Sequence, residues 1–470
     1  MNDFFKKLTG FSIGPIIGAL IGFITIPITT HFVAPTEYGK ASMFTLVQTI
    51  ITMVVYLGLD QAYVRFYHEE DNKKKLLFNS MIIPLVVSVI AIVLLPINPQ
   101  IISKMLFEDP QYIMPVYALM ITIPLIIFER FILLSIRMQE KGAQYSVFSI
   151  ILKLVTFFAT LLFVLKIRTD FLAVVYSSII GQIIGDIVLI IIYRKSLTLN
   201  FKFLDKTLLK SLLKFGLPLL VYASLAWVLN SMDRIFLRIY SNFQQMGYYT
   251  IAMKMTSLLL IIQTCFTTFW VPTAYRWYNE KVDNKQFGLV SNSLFFVMSI
   301  AFLGILLFKD LIVIIMPTYK QSIYIMPFLL FYPMMYTVSE TTTLGIAFSK
   351  KSYFNIVASI LAVVTNIVLN IMLIPKYNAI GAAIAMGIAY IIFFWTRTII
   401  SRQLWHRFPI RKYIIITFVL LIAALFNTIE LNKILMFLIN FSCMIVVFFI
   451  YKNLIKEIFS KFKFIKKISH

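Results

Sequence analysis

The chain has 470 residues, of which 60% are hydrophobic and only 13% charged, at a mean hydropathy of +0.88. A water-soluble globular chain of this length does not carry that balance. The formal net charge of +23 suggests nucleic acid at first sight. However, Lys and Arg recur at alternate connectors between apolar stretches rather than gathering in one domain, so a polytopic membrane protein is expected instead.

Taken in chain order, the apolar stretches predict about fourteen membrane-spanning helices. They cover approximately residues 11–32, 40–62, 77–96, 111–136, 145–165, 170–193, 215–236, 247–271, 288–308, 322–347, 353–374, 379–400, 412–428 and 434–451. A helix rises about 1.5 Å per residue, so about 20 apolar residues cross a hydrocarbon core about 30 Å thick with each backbone amide bonded inside the helix. With the N-terminus in the cytoplasm, about 30 of the 43 Lys and Arg fall on the cytoplasmic side and about 8 outside. Omitting any one span would move Lys73-Lys74-Lys75 or the Arg407/Arg411/Lys412 cluster to the outside. Both termini are therefore expected to be cytoplasmic. The opening MNDFFKKLTG carries no small-residue cleavage site, so no removable signal peptide is expected. Cys265 and Cys443 both fall inside spans and read as small apolar core residues, indicating neither a disulfide framework nor a thiolate metal site.

The connectors divide the chain into an N-terminal lobe over 1–193 (spans 1–6), a basic cytoplasmic linker over 194–214, a C-terminal lobe over 215–400 (spans 7–12), and 401–470 with spans 13 and 14 and a basic cytoplasmic tail. In the linker, Leu and Phe alternate irregularly with Lys, a pattern suited to the inner leaflet, although a passive tether fits it equally. FSIGP…APTEYGKASM near residues 11–43 is similar to FGLPL…FQQMGYYTIAM at 215–253, and YSVFSIILKLV from Tyr145 is similar to YFNIVASILAVV from Tyr353. Both pairs share one offset, which favours a duplicated lobe. An even number of spans separates the copies, so the repeat is parallel, with its pseudo-two-fold axis along the membrane normal.

The segments PITTHFVAPTEYGKASM, YLGLDQAYVRF, SMDRIFLRIYSNFQQMGYYTIAMK and VTNIVLNIMLIPKYNAIGAAIAMGIAY resemble the polysaccharide transporter branch of the multidrug/oligosaccharidyl-lipid/polysaccharide exporter superfamily. The N-x-x-L-N-x-x-L-I-P run beginning at Asn366 carries the resemblance furthest, and His31, where the branch often has Arg, departs from it. The resemblance implies an all-α fold with two six-helix lobes in a V plus two C-terminal helices, set in a bacterial plasma membrane. It further implies flipping of an undecaprenyl-diphosphate-linked oligosaccharide from the cytoplasmic to the outer leaflet, with a polysaccharide polymerase and glycosyltransferases as partners in the pathway, and the excess of Arg and Lys among the intramembrane charges suggests alternating access through a cationic central cavity. A cation-coupled multidrug exporter of the same superfamily is the alternative.

An enzyme is not expected, because the chain holds no H-E-x-x-H, no nucleotide-binding glycine loop and no Asp-x-Asp. No cofactor or metal is expected either. Ionisable groups at bilayer depth cost about 2.5 kcal/mol or more, so they tend to face protein or a wet cavity. For a pyrophosphate the planar guanidinium of Arg is the best donor, and Arg65, Arg130 and Lys153 are the first candidates, with Lys254 and Arg234 beside them. Arg65 and Arg130 have an alternative in snorkelling to the inner headgroups or in pairing locally, each on its own span, with Asp60 and Glu129. His31, Asp186, Asp233, Arg238 and Glu340 are the gate or ion-coupling candidates. The membrane potential favours outward movement of the dianion, and these residues do not choose between Na⁺, H⁺ and neither as a coupled ion.

Overall fold

A computed structural model describes residues 2–194, 197 and 200–456, with the side chains of all of these except 2–12, 95, 222, 265 and 268. The expected core placement of Cys265 lies outside the described residues, as do four residues of the basic linker and 457–470 of the tail. The described chain is helical throughout and contains no strand. It forms two compact units, Met1–Arg234 and Ile235–His470.

In the first unit the helices are α1 (Asn2–Phe32), α2 (Pro35–Tyr56), α3 (Leu59–Phe66), α4 (Lys73–Leu94), α5 (Pro99–Phe107), α6 (Ile113–Met138), α7 (Gly142–Leu162), α8 (Phe171–Tyr193) and most of α9 (Lys206–Tyr240). Small residues set their crossings. A Cβ on Gly14 would sit 2.6 Å from the Ser146 Cα, and one on Gly181 would sit 2.6 Å from the Thr156 Cα, so α7 lies close against both α1 and α8. The Gly14 amide donates to Ser146 Oγ at 2.9 Å. Glu37 of α2 accepts from the Phe171 amide at 2.9 Å, placing a negative charge at the N-terminus of α8, where the helix dipole favours it.

The linker is fastened to α4. Asn79 donates to the Phe203 carbonyl at 2.7 Å and accepts from the Asp205 amide at 3.0 Å. Lys75 pairs with Asp205 at 2.7 Å. That ammonium, with the Leu208 and Thr207 amides, holds the Asp205 carboxyl well below the usual carboxylate range.

In the second unit follow α10 (Phe243–Asn279), α11 (Asn284–Leu307), α12 (Lys309–Ile315), α13 (Ser322–Leu329), α14 (Phe331–Thr342), α15 (Leu344–Phe348), α16 (Tyr353–Leu404), α17 (Arg411–Asn427) and α18 (Lys433–Ile450). At one end Trp270, Phe287, Phe348 and Trp405 pack edge to face and close the helix ends together. At the other, Ser241 donates to Asn378 at 2.8 Å and Lys320 meets Glu430 at 3.2 Å.

Among the described residues 12 helices are long and apolar enough to cross a membrane. One of these, α16, is broken at Asn378 (φ 50°, ψ −129°), beside Pro375, and so supplies two passes. α17, 17 residues long, is a further apolar helix just short of that length. Outward-facing apolar side chains such as Val86, Val89, Val93, Ile360, Val364 and Val368 form a surface that water would not tolerate at this extent and lipid does.

Candidate functional site

The site in the first unit begins with a helix break. α2 ends because Leu57 (φ 49°) and Gly58 (φ 72°) both turn left-handed. Gly58 is needed there twice over: its φ disfavours a side chain, and an added Cβ would lie 2.2 Å from the Gly216 carbonyl oxygen of α9. The chain restarts as α3, whose Leu59, Ala62 and Tyr63 are buried against Ile127 and Phe131 of α6. This anchoring fixes Asp60, in the first turn of α3, toward α6.

Asp60 Oδ2 accepts from Arg130 Nε at 3.1 Å and from its terminal NH2 at 2.6 Å. Gln61 Nε2 also reaches that oxygen, at 3.0 Å. Glu129, the residue before Arg130, points to α8 instead and accepts from Gln182 Nε2 at 2.6 Å. The same nitrogen donates to Asp186 Oδ1 at 2.8 Å. One amide thus ties two carboxyl groups together, and Asp186 is fully buried.

These groups border a cavity of about 480 Å³ lined by α2, α3, α6, α8 and α9. Thr49, Thr52 and Gln48 of α2 supply hydroxyl and amide groups, while Leu219, Leu220 and Ala223 of α9 form an apolar wall. The lining is of mixed charge, one guanidinium with two carboxyls, Asp60 and Glu129. The Arg130 side chain remains 41% exposed, so its pairing does not seal it from a ligand.

The other sequence candidates are placed as follows. Arg65 is exposed on α3 and pairs with Glu69 one turn on. Lys153 is exposed on α7, with its stem beside Gly18 of α1. His31 is exposed at the end of α1, edge-on to Phe32. Asp233 is fully buried and Arg234 half-buried near the end of α9, and Arg238 lies over the Phe243 ring at 4.8 Å. Lys254 is exposed on α10. Glu340 of α14 pairs with Arg397 of α16 at 3.0 Å. Of the ten, the structure brings Arg130 and Asp186 to the first-unit cavity and its border.

Sequence reasoning passed over Gln182 and Arg397. Gln182 lies four residues before Asp186 on an otherwise apolar helix, the spacing at which two side chains share a face. Arg397 is a cation inside a predicted span, the same signal that singled out Arg130. It donates to Ser339 Oγ at 2.6 Å, to Glu340 Oε1 at 3.0 Å, to Asn355 Oδ1 at 3.0 Å and to Thr343 Oγ1 at 3.2 Å.

A bundle of apolar helices with polar groups drawn inward around a cavity defines a polytopic α-helical membrane protein. The sequence family described as polysaccharide biosynthesis protein matches residues 5–278, more than half of the chain, and the chain belongs to that family. Among solved structures, the lipid II flippase MurJ in an inward closed conformation superposes with a TM-score of 0.71 at 17% identity, over 95% of this chain and 99% of that one. An inward-facing multidrug resistance MATE family transporter of the MOP superfamily gives 0.64 at 15% identity, over 82% and 94%. A MOP superfamily transporter from Pyrococcus furiosus, described as having a binding pocket of reverse polarity, gives 0.59 at 15%, over 85% and 95%. No curated protein sequence matches the chain.

Proposed function

We propose that this chain is a flippase that carries a polyprenyl-diphosphate-linked oligosaccharide from the cytoplasmic to the outer leaflet by alternating access. The observation that carries this reading is the Arg130 guanidinium, held by Asp60 yet open to a cavity lined with amides and hydroxyls. A guanidinium can bond two phosphate oxygens at once, which replaces part of the water shell the pyrophosphate gives up. Membership of a polysaccharide biosynthesis family supports the same substrate class. On this reading the setting is a bacterial plasma membrane and both termini are cytoplasmic; that orientation is supported by Lys281, Lys285, Lys350, Lys351, Arg407, Arg411 and Lys412, which flank the connectors at the end of the second unit where the Trp and Phe cluster lies.

Purified chain in proteoliposomes tests this. A lipid-linked oligosaccharide supplied on one leaflet becomes accessible to a lectin on the other with the wild-type chain and not with Arg130→Gln. Expulsion of a cationic dye with no movement of the glycan overturns the reading.

A second reading, coupling to an inward cation, is favoured by the Glu129–Gln182–Asp186 cluster. Two carboxyl groups bound to one half-buried amide repel each other when charged, and H⁺ or Na⁺ taken up there offsets that repulsion. Its test is transport by Asp186→Asn with and without an imposed ion gradient. Equal gradient dependence in the variant and the wild type rejects this site as the coupling point.

A further inference from the structure

The second unit holds a second cavity, of about 410 Å³, which the proposed transport path leaves unused. It lies where four connectors meet: α9 to α10, α12 to α13, the break inside α16, and α17 to α18. Side-chain bonds tie these connectors to one another. Ser241 donates to Asn378 at 2.8 Å, Gln245 Nε2 lies 3.4 Å from Gln321 Oε1, and Lys320 meets Glu430 at 3.2 Å.

The chemistry of the lining is specific. Its two charges, Lys320 and Glu430, face each other, so the cavity carries little net charge toward a phosphate or a metal ion. Beside them stand carboxamides and phenols, Gln245, Gln321 and Asn378 with Tyr324 and Tyr377, together with Thr428 and the apolar Ile325 and Ile380. A carboxamide presents donor and acceptor side by side, the arrangement that matches neighbouring hydroxyls on a sugar ring. A tyrosine offers an apolar face to the C–H side of the same ring and a hydroxyl at its edge. Tyr377 is 55% exposed and stands where it can cover such a ring. The volume is within the range of small-molecule sites, about 300–1,000 Å³.

We propose that this cavity binds uncharged sugar residues of the carried glycan at the outer face of the membrane. The inference rests on the flippase reading and on the orientation proposed with it, which puts all four connectors outside. It deepens that reading by separating two tasks: the first unit meets the pyrophosphate, and the second unit holds sugar at the exit side.

The probe is the oligosaccharide pool released by mild acid from the lipid-linked glycans of the source cells, added to detergent-purified full-length chain. Saturation-transfer NMR shows sugar protons in contact with the wild-type protein. Gln321→Ala and Tyr377→Ala each weaken that binding about fivefold, as loss of one neutral contact does, and together more than tenfold. Both positions are solvent-exposed, so unchanged thermal midpoints confirm that folding is intact. No binding by the wild-type chain, or binding that survives the double substitution, overturns the inference. A wild-type chain that binds the released glycan but moves no lipid-linked glycan in proteoliposomes upholds the cavity and overturns the transport reading. Transport without binding does the reverse.

Discussion

Arg130 reaches Asp60 through a single carboxylate oxygen, with both Nε and one terminal nitrogen donating to it, and this geometry separates two effects that mutation can resolve. Asp60→Asn leaves the guanidinium in the cavity but loosens its aim, and with the pair partly solvated the cost in stability is about 1–2 kcal/mol. Arg130→Gln removes the cation itself, and flipping falls by at least about tenfold, the equivalent of one charge-assisted bond. Comparing transport with thermal unfolding of the two variants checks this; equal transport loss in both assigns Arg130 to structure alone.

Arg397 is a different kind of charge. It is 7% exposed and bonded to four side chains. Arg397→Met abandons Glu340 without its ion pair and costs about 3–5 kcal/mol, while Arg397→Met/Glu340→Gln restores much of it. Chemical unfolding in detergent measures both.

Lys309 provides a pH test outside the spans. Burial lowers its ammonium to about 8, with Asp310 opposing, and Nζ donates to the Asn427 carbonyl at 3.2 Å. A base whose folded value lies below its unfolded one destabilises the fold while it is charged. Stability therefore rises as pH goes from about 8 toward about 10.5, and Lys309→Met removes that component of the rise. A rise of equal size in the variant refutes the assignment.

At the scale of helices, the small-residue pairs Gly14/Gly18 and Gly181/Gly185 are common patterns, and sequence alone could say little of them. In the structure Gly14 and Gly181 mark close backbone approaches of α7 to α1 and to α8. Gly181→Leu forces those backbones apart at a cost of about 1–3 kcal/mol, readable as a lowered thermal midpoint of purified chain; an unchanged midpoint shows that the crossing can relax.

The spans were legible because twenty apolar residues in a row have one stable use. The helical breaks were not. Pro27, Pro84, Pro124, Pro218, Pro272 and Pro327 all lie inside helices that continue past them. The break that shapes the cavity comes instead from Leu57–Gly58, where a left-handed pair is set by the approach of Gly216, 158 positions away in sequence. Nothing local announces that contact. The cross-helix pairing of Asp60 with Arg130 escaped for the same reason: both charges were visible, but their partners depend on how α3 and α6 pack. The short helices α5 and α12 follow the third and ninth spans, an echo of the repeat at the same offset, though too short to stand out from their connectors by hydropathy.

Across the whole molecule, the proposed function makes the net charge of the cargo set the direction of transport. A pyrophosphate diester carries two negative charges, and moving them from a negative interior to the outside releases about 2.3 kcal/mol per charge per 100 mV. At 100 mV this amounts to about 4–5 kcal/mol, enough to shift the leaflet ratio by about a thousandfold with no coupled ion. In proteoliposomes holding a potassium diffusion potential, lipid-linked glycan therefore collects on the positive side, and its ratio changes with potential at a slope of two charges. If Glu129 and Asp186 also carry one cation inward for each glycan moved outward, the slope rises to three and an ion gradient alone drives movement at zero potential. Asp186→Asn then returns the slope to two. A ratio that ignores the potential rules out net movement of charge and, with it, the pyrophosphate as an ionised passenger.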